Sequence, residues 1–301
     1  MSPGSHRPTG LEARRARAGA GMVAPALLLV LVSAIVPLLR TVWLSFTDAR
    51  LANPGAHSFI GFDNYRLLLS DPEFGSAVVT TLRFTGASVL LEILFGLGLA
   101  LLLHQRYRGR GWMRAAALVP WAIPTVVSAQ LWKFMLNDVY GVANDFLVRL
   151  HLIEEPLAWL ATPGLALASV IVVDVWKTTP FIALLILGAL QAIPEELYEA
   201  ARIDGAGAVR RFRHVTLPHV APILLVAVLF RTLDALRIFD TIYVLTLGAF
   251  GTESMATYNR RLLVDFMDLG YGAACSLLIF VIVGVVSAAY LLLFARREVV
   301  T

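Results

Sequence analysis

The sequence predicts an all-α integral membrane protein with six transmembrane helices, and three observations carry that prediction. Of 301 residues, 58% are hydrophobic and only 15% are charged, whereas a soluble domain carries roughly a quarter charged residues. Six apolar stretches, at about 22–46, 80–103, 113–135, 165–188, 219–247 and 272–294, approach or exceed the roughly 20 residues that cross a bilayer core. Arginines gather on alternate sides of these stretches, as the positive-inside bias requires. Mean hydropathy is +0.75.

The chain opens with a basic leader, residues 1–21, carrying Arg7, Arg14, Arg15 and Arg17. The apolar run behind it is longer than a secretory signal core, and no small-residue cleavage site follows, so it is expected to be a retained first span. Residues 47–79 then connect to span two. The 104–114 loop holds Arg106, Arg108, Arg110 and Arg114; the 190–218 segment holds Arg202, Arg210, Arg211 and Arg213; the tail, 296–301, holds Arg296 and Arg297. Opposite loops carry Arg50, Arg66, Arg149, Arg260 and Arg261, with Lys133 near a span end. Both termini and the 190–218 segment are therefore expected in the cytoplasm, and the six-span body covers 22–295. The single cysteine, Cys275, lies in an apolar run and offers no disulfide or cysteine-based metal site.

The segment between spans four and five is the least apolar part of the body. Pro194 followed by Glu195 and Glu196 predicts a helix start, because proline fits the first turn and acids suit the positive end of the helix dipole. Gly205 predicts its stop. A second short helix is expected over 208–215, with Pro218 preceding span five. Leu197, Ala200, Ala201 and Asp204 recur at helical spacing on one face, where two alanines allow close approach of another surface.

Charges within spans are costly and are functional or paired. Span five carries Arg231, Asp234, Arg237 and Asp240, each three residues from the next and alternating in sign. Three readings remain open: a self-neutralising network that fixes packing, a polar lining that binds a ligand's hydroxyls, or an ion pathway. Span four carries Asp174, Lys177 and Thr178, with Pro180 expected to kink the helix. Trp176 and Phe181 flank that position as a stacking platform for a ligand or as packing groups. Glu92, deep in span two, is expected to be protonated or to meet another helix.

The pattern Glu199-Ala200-Ala201, three residues, Gly205, nine residues, then Val215-x-Leu217-Pro218 resembles the signature of permease subunits of binding-protein-dependent ABC importers. The stretches "FIGFDNYRLLLSDPEFGSAVVTTLRFT" (59–85), "VWKTTPF" (175–181) and "FRTLDALRIFDTIYVLT" (230–246) resemble the carbohydrate-importing, maltose/trehalose-type branch, and most of all its mycobacterial trehalose importers. The resemblance implies a type I importer permease fold in a bacterial plasma (inner) membrane. It implies that Glu199, Ala200, Ala201, Asp204, Gly205, Leu217 and Pro218 form a coupling loop docked on a separate ATPase. It also implies a second, homologous permease subunit, a dimer of ABC ATPase subunits and a periplasmic or lipid-anchored sugar-binding protein.

In maltose-importing relatives one permease holds the sugar between spans four and five. Carried over, that implies contacts at Trp176, Lys177, Thr178, Phe181 and Arg231, with Asp234, Arg237, Asp240 and Tyr243 as further candidates. This sequence departs from the maltose pattern: Ala235 and Ile238 are apolar where that relative has amides, and Arg231 replaces a small hydroxyl. The expected activity is ATP-driven import of a sugar, a disaccharide such as trehalose, by alternating access. Maltose or maltodextrin and glycerol-3-phosphate-type substrates are alternatives, and an ion-coupled secondary transporter is the competitor from another class. No GxxxxGK[ST] phosphate loop occurs, so ATP and Mg²⁺ are expected in the partner ATPase, and no cofactor, metal or nucleic acid on this chain. No HExxH pattern marks an intramembrane enzyme.

Overall fold

In hydrocarbon every backbone N–H and C=O must be satisfied within the protein, and for a chain of long apolar runs the helix does this segment by segment. The computed structural model describes residues 10–53, 55 and 57–298, and these are helical apart from turns and connecting segments. Residues 1–9 of the basic leader, with Arg7, and residues 299–301 of the tail lie outside the described residues.

Helix α1 (Gly10–Leu44) packs against α13 (Leu269–Glu298) and otherwise leaves its apolar side chains from Met22 to Trp43 exposed, as a lipid-facing span would. A short α2 (Asp63–Ser70) precedes α3 (Pro72–His104), whose start is capped by the Asp71 carboxylate accepting from the Glu73 N–H at 2.8 Å.

The expected third span, 113–135, is not one rod. It is α4 (Arg110–Ala122) and α5 (Thr125–Met135), bent by 91°. Pro124 forces the preceding Ile123 into an extended conformation, and Pro120 weakens the last turn of α4. Helix α6 (Val142–Arg149) follows, and its buried Asn144 side chain ties the 137–160 connection together through Leu157 and the Trp159 indole.

Helix α7 (Leu165–Gln191) passes through Pro180 as one continuous element, so the expected kink does not interrupt it. Helix α8 (Glu195–Ile203) and the short α9 (Ala208–Arg211) form the polar elbow. Beyond it the expectation of a separate helix ending before Pro218 needs correction. Residues Ala208–Ala235 are continuously helical, through a π turn over Phe212–Thr216 into α10 (Leu217–Ala235). A proline ring clashes with the carbonyl four residues back, here that of His214, and a wider turn relieves that clash.

The fifth span also ends earlier than expected, at Ala235 rather than near 247. The chain turns over 236–239, and α11 (Asp240–Thr246) and α12 (Met255–Arg260) follow. No glycine or proline sits at the break. It coincides instead with Arg237 and Asp240, which a straight helix would carry into lipid. The freed Ile238 carbonyl accepts from the Ser254 hydroxyl at 2.8 Å, and Lys133 Nζ donates to the Val244 carbonyl at the end of α11 at 3.0 Å.

Helices α3 and α7 form the central pairing. Their closest approach is at Gly96, where a Cβ would lie 2.6 Å from Ile182 Cγ2, so glycine is required for this contact. Two apolar clusters stack along the pair. One joins Phe84, Val89, Val173, Ala235 and Ile242; the other joins Ala100, Ile182, Ile186, Val220 and Ala227. A third cluster, around Phe74 and Tyr258, packs α12 and α13 against the start of α3. Here Tyr258 donates to Asp71 Oδ2 at 2.5 Å, and Arg261 bridges Glu73 at 2.6 Å and Glu253 at 3.0 Å.

Candidate functional site

Between the two stacked clusters each of α3, α7 and α10 contributes one buried ionisable residue: Glu92, Asp174 and Arg231. The Arg231 guanidinium sits at their junction. Its Nε and Nη2 donate to the two oxygens of Glu92, the Nη2 bond measuring 2.7 Å. Nη2 also reaches Asp174 Oδ2 at 2.8 Å, and Nη1 pairs with Asp234. Thr178 Oγ1 donates to Glu92 Oε1 at 2.7 Å and lies as close to the Asp174 carbonyl. The planar fork of arginine lets one cation satisfy three carboxylates at once, which a lysine could not do with the same geometry.

The four fifth-span charges therefore do not form one helical ladder. Arg231 and Asp234 are on α10, Arg237 lies in the turn, and Asp240 begins α11. Arg231 turns inward to α3 and α7, whereas the Asp234 side chain is 70% exposed. Burying an unpaired charge in this layer would be prohibitive, and here both Glu92 oxygens, Asp174 Oδ2 and all three guanidinium nitrogens have partners.

Against this network lies a cavity of about 200 Å³. Among the sequence-derived candidates, Lys177, Thr178, Arg231, Asp234, Arg237 and Asp240 line it, together with Ala235 and Ile238. Trp176, Phe181 and Tyr243 do not. Trp176 packs edge-on against Trp132 (5.5 Å, 73°), Phe181 stacks on Trp121 (5.6 Å, 18°) and Tyr243 stacks on Phe239 (5.2 Å, 13°). Their neighbours Trp121 and Phe239 do reach the wall, so each of those two stacks presents its other ring to the cavity. The Arg260 guanidinium covers Tyr243 at 4.7 Å.

Sequence reasoning missed Trp121, Thr125, Phe239 and Thr241 as lining residues. Two of them had a signal: Trp121 lies between Pro120 and Pro124, and Phe239 sits inside the charged run. Thr241 Oγ1 is buried at the wall with no hydrogen-bond partner among the described residues. Lys177 and Asp240 form no ion pair among the described residues, and Arg237 donates only to the Leu233 carbonyl. The cavity thus combines aromatic edges, unengaged donors and acceptors of both signs, and one arginine fixed from behind. Such a wall suits a neutral ligand rich in hydroxyls, which needs many directed hydrogen bonds and no net countercharge.

The elbow at the other end of the bundle has its own geometry. Helix α8 closes with Ala206 N–H bonded to the Ala201 carbonyl (2.9 Å) and Gly205 N–H to the Arg202 carbonyl (3.0 Å), a Schellman motif. It requires a left-handed residue, and Gly205 has φ +76°. Tyr198 turns inward, its hydroxyl 3.0 Å from Thr216 Oγ1, and Arg106 pairs with Glu195 at 2.7 Å. Glu199, Ala200, Asp204, Leu217 and Pro218 are exposed, Ala201 is half-buried, and the apolar Ile203 protrudes almost fully. The elbow is thus pinned to the bundle on one side and presents a small-residue and apolar surface on the other.

No group of His, Cys, Asp and Glu among the described residues could hold a metal ion. At the opposite end, Asp71 lies below the ordinary carboxylate range. Partial burial pushes it up, but hydrogen bonds from Tyr258 and from the Glu73 and Phe74 backbone outweigh that.

Residues 92–299 match the family described as binding-protein-dependent transport system inner membrane component. The trehalose/maltose transport system permease protein MalF of Thermococcus litoralis is 44% identical, over 93% of this chain and 95% of the relative. The trehalose transport system permease protein SugA of Mycobacterium tuberculosis is 39% identical, over 95% of this chain and 91% of the relative. The sulfoquinovosyl glycerol transport system permease protein SmoG of Agrobacterium fabrum is 38% identical, over 92% and 90%. Among solved structures, a bacterial ABC transporter involved in import of the acidic polysaccharide alginate has a chain with the same fold. Its TM-score is 0.82 at 24% identity, covering 94% of this chain and 96% of that one.

Proposed function

Because the chain belongs to the binding-protein-dependent transport system inner membrane components, we propose that it is the permease subunit of an ATP-driven sugar importer whose substrate is a disaccharide such as trehalose. The single observation that carries the substrate reading is the cavity between α7 and the α10–α11 turn, whose wall pairs unengaged polar heads with aromatic rings. The relatives named for trehalose and maltose transport support the same class.

In this reading the Glu92–Arg231–Asp174 network is scaffold and the cavity wall is the contact surface. Lys177, Arg237 and Asp240 bond sugar hydroxyls, Thr241 supplies a further hydroxyl, and Trp121 and Phe239 meet the apolar face of the ring. Asp234 does both: it pairs with Arg231 and offers its exposed oxygen to the ligand.

The motor is foreign to this chain. A dimer of ABC ATPase subunits, which holds the ATP and Mg²⁺, grips the α8 elbow from the cytoplasm. Ala208–Ala235 is one continuous helix, so a displacement passed on through the 204–207 turn reaches the Arg231 layer without a further joint. ATP-driven closure of the ATPase dimer then swings the bundle between inward- and outward-open states as a rigid body. A second homologous permease completes the pathway, and a periplasmic or lipid-anchored binding protein supplies the sugar. Both termini lie in the cytoplasm of the bacterial inner membrane.

The test is ATPase stimulation in the reconstituted complex with its binding protein, across trehalose, maltose, maltodextrin and glycerol 3-phosphate. The reading expects stimulation by a disaccharide; stimulation confined to glycerol 3-phosphate would replace the neutral sugar by an anionic substrate.

A further inference from the structure

A second and larger cavity, of about 980 Å³, lies at the elbow end of the bundle. Five arginines line it: Arg106 from the α3–α4 connection, Arg110 and Arg114 on α4, and Arg202 and Arg211 from the elbow. Glu195 is the only carboxylate on that wall, and it is taken up by Arg106. Arg114 and Arg211 reach backbone carbonyls of Leu103 and Ala206, while Arg110 and Arg202 engage no acid among the described residues. His104 also lines the space, and its Nδ1 is buried without a hydrogen-bond partner.

Two segments nearly a hundred residues apart thus converge their cations on one concave surface. A general basic bias of the cytoplasmic face would scatter them over convex surface, as it does Arg108, which does not line the cavity. The remaining wall is mixed, with apolar Leu101, Leu190, Ile193 and Phe212 beside polar Gln105 and Gln191. Two residues from Arg110 the Trp112 side chain is 84% exposed, an aromatic of the kind enriched at membrane–water interfaces.

We infer that this cavity is a binding site for a phosphate-bearing anion, presented as the headgroup of an anionic phospholipid of the inner leaflet. Guanidinium forks bond phosphate oxygens bidentately. Basic pockets between spans on the cytoplasmic side are suited to anionic headgroups, and the apolar part of the wall accepts the upper acyl chain. A soluble phosphate shares the first chemistry but has no use for the second. The ligand bridges the α3–α4 connection to the elbow, so it braces the element on which the ATPase acts. The exposed apolar surface of the elbow, at Leu197 and Ile203, is not part of this wall and stays free for a protein partner.

The experiment uses the purified, fully assembled importer, delipidated and then incubated with mixed micelles of phosphatidylcholine and phosphatidylglycerol. Bound lipid per complex is measured by mass spectrometry after washing. Arg110 is exposed and at the first position of α4, so Arg110→Glu suits the helix dipole and does not threaten folding. It is expected to lower retained phosphatidylglycerol about tenfold, the order expected when a charge-assisted bond becomes a repulsion. Arg108→Glu changes net charge equally and is expected to leave retention within about twofold. Excess inorganic phosphate in the wash separates the sources: retention assigns the site to lipid, and displacement assigns it to a soluble phosphate. Equal retention of the two lipids, equal loss in both variants, or binding only when the ATPase is absent would overturn the site.

Discussion

Replacing Arg231 by methionine keeps the aliphatic stem and removes the guanidinium on which α3, α7 and α10 converge. Glu92 is fully buried and Asp174 is nearly so, and both lose their only cationic partner among the described residues. A contact ion pair is worth roughly 4 kcal/mol at an effective dielectric near 20, and breaking a buried pair from one side costs about 3–5 kcal/mol. The pair with Asp234 adds little, because that carboxylate is largely solvated. Glu92→Gln is the milder change: Arg231 keeps Asp174 and Asp234, and the amide oxygen still accepts, for a loss of about 1–2 kcal/mol. At about 2 °C per kcal/mol for a chain of this size, melting should fall by about 6–10 °C for Arg231→Met and by about 2–4 °C for Glu92→Gln. Cys275 is fully buried and is the only cysteine of the chain, so maleimide labelling against temperature reads unfolding of this subunit within the detergent-solubilised complex. A melting curve for Arg231→Met within about 2 °C of wild type, or a larger loss for Glu92→Gln, would refute the assignment of this cluster as scaffold.

Other outcomes follow from the same geometry. Arg237→Ala and Asp240→Asn, both at exposed heads on the cavity wall, should raise the half-saturation for uptake about tenfold, the order of one charge-assisted hydrogen bond, and leave the melting curve in place. Gly205→Pro, or Glu199→Lys, should abolish import while the subunit still inserts, read as uptake beside membrane-fraction abundance; Gly205 is at φ +76°, outside the range proline allows. Tyr258→Phe removes a donor that holds Asp71 below its ordinary value. A depressed carboxylate stabilises above its unfolded pKa, near 3.8, and that stability vanishes as pH falls through the folded value. The variant should therefore melt below wild type at neutral pH, with the gap closing below about pH 4.

Elements governed by local chemistry were legible in the sequence. Apolar length marked the membrane-crossing segments, and Pro194, the two glutamates and Gly205 marked a helix that the structure closes with a left-handed glycine. The bend at residues 123–124 was also written there, in two prolines four apart, but apolar length alone read the segment as one span. The break after Ala235 carries no proline or glycine. It is fixed by Ser254, which caps the Ile238 carbonyl from sixteen residues away, and by the exclusion of Arg237 and Asp240 from lipid. Glu92 and Arg231 are 139 residues apart, so no periodicity could pair them. The sequence showed only that each was too costly to bury alone. The cavity is likewise a product of five helices and one turn, which explains why Lys177 and Asp240 were identifiable as candidates while Thr241, an ordinary threonine locally, was not.

The central claim is that a foreign nucleotide-driven motor, acting on the α8 elbow, powers movement of a sugar past the Arg231 layer. Its most direct test is uptake of labelled trehalose by vesicles holding the two permeases, the ATPase pair and the binding protein, with ATP or an ion gradient supplied separately. Accumulation that requires ATP and is abolished by Gly205→Pro is the predicted result. Accumulation driven by a proton or sodium gradient without ATP would contradict it.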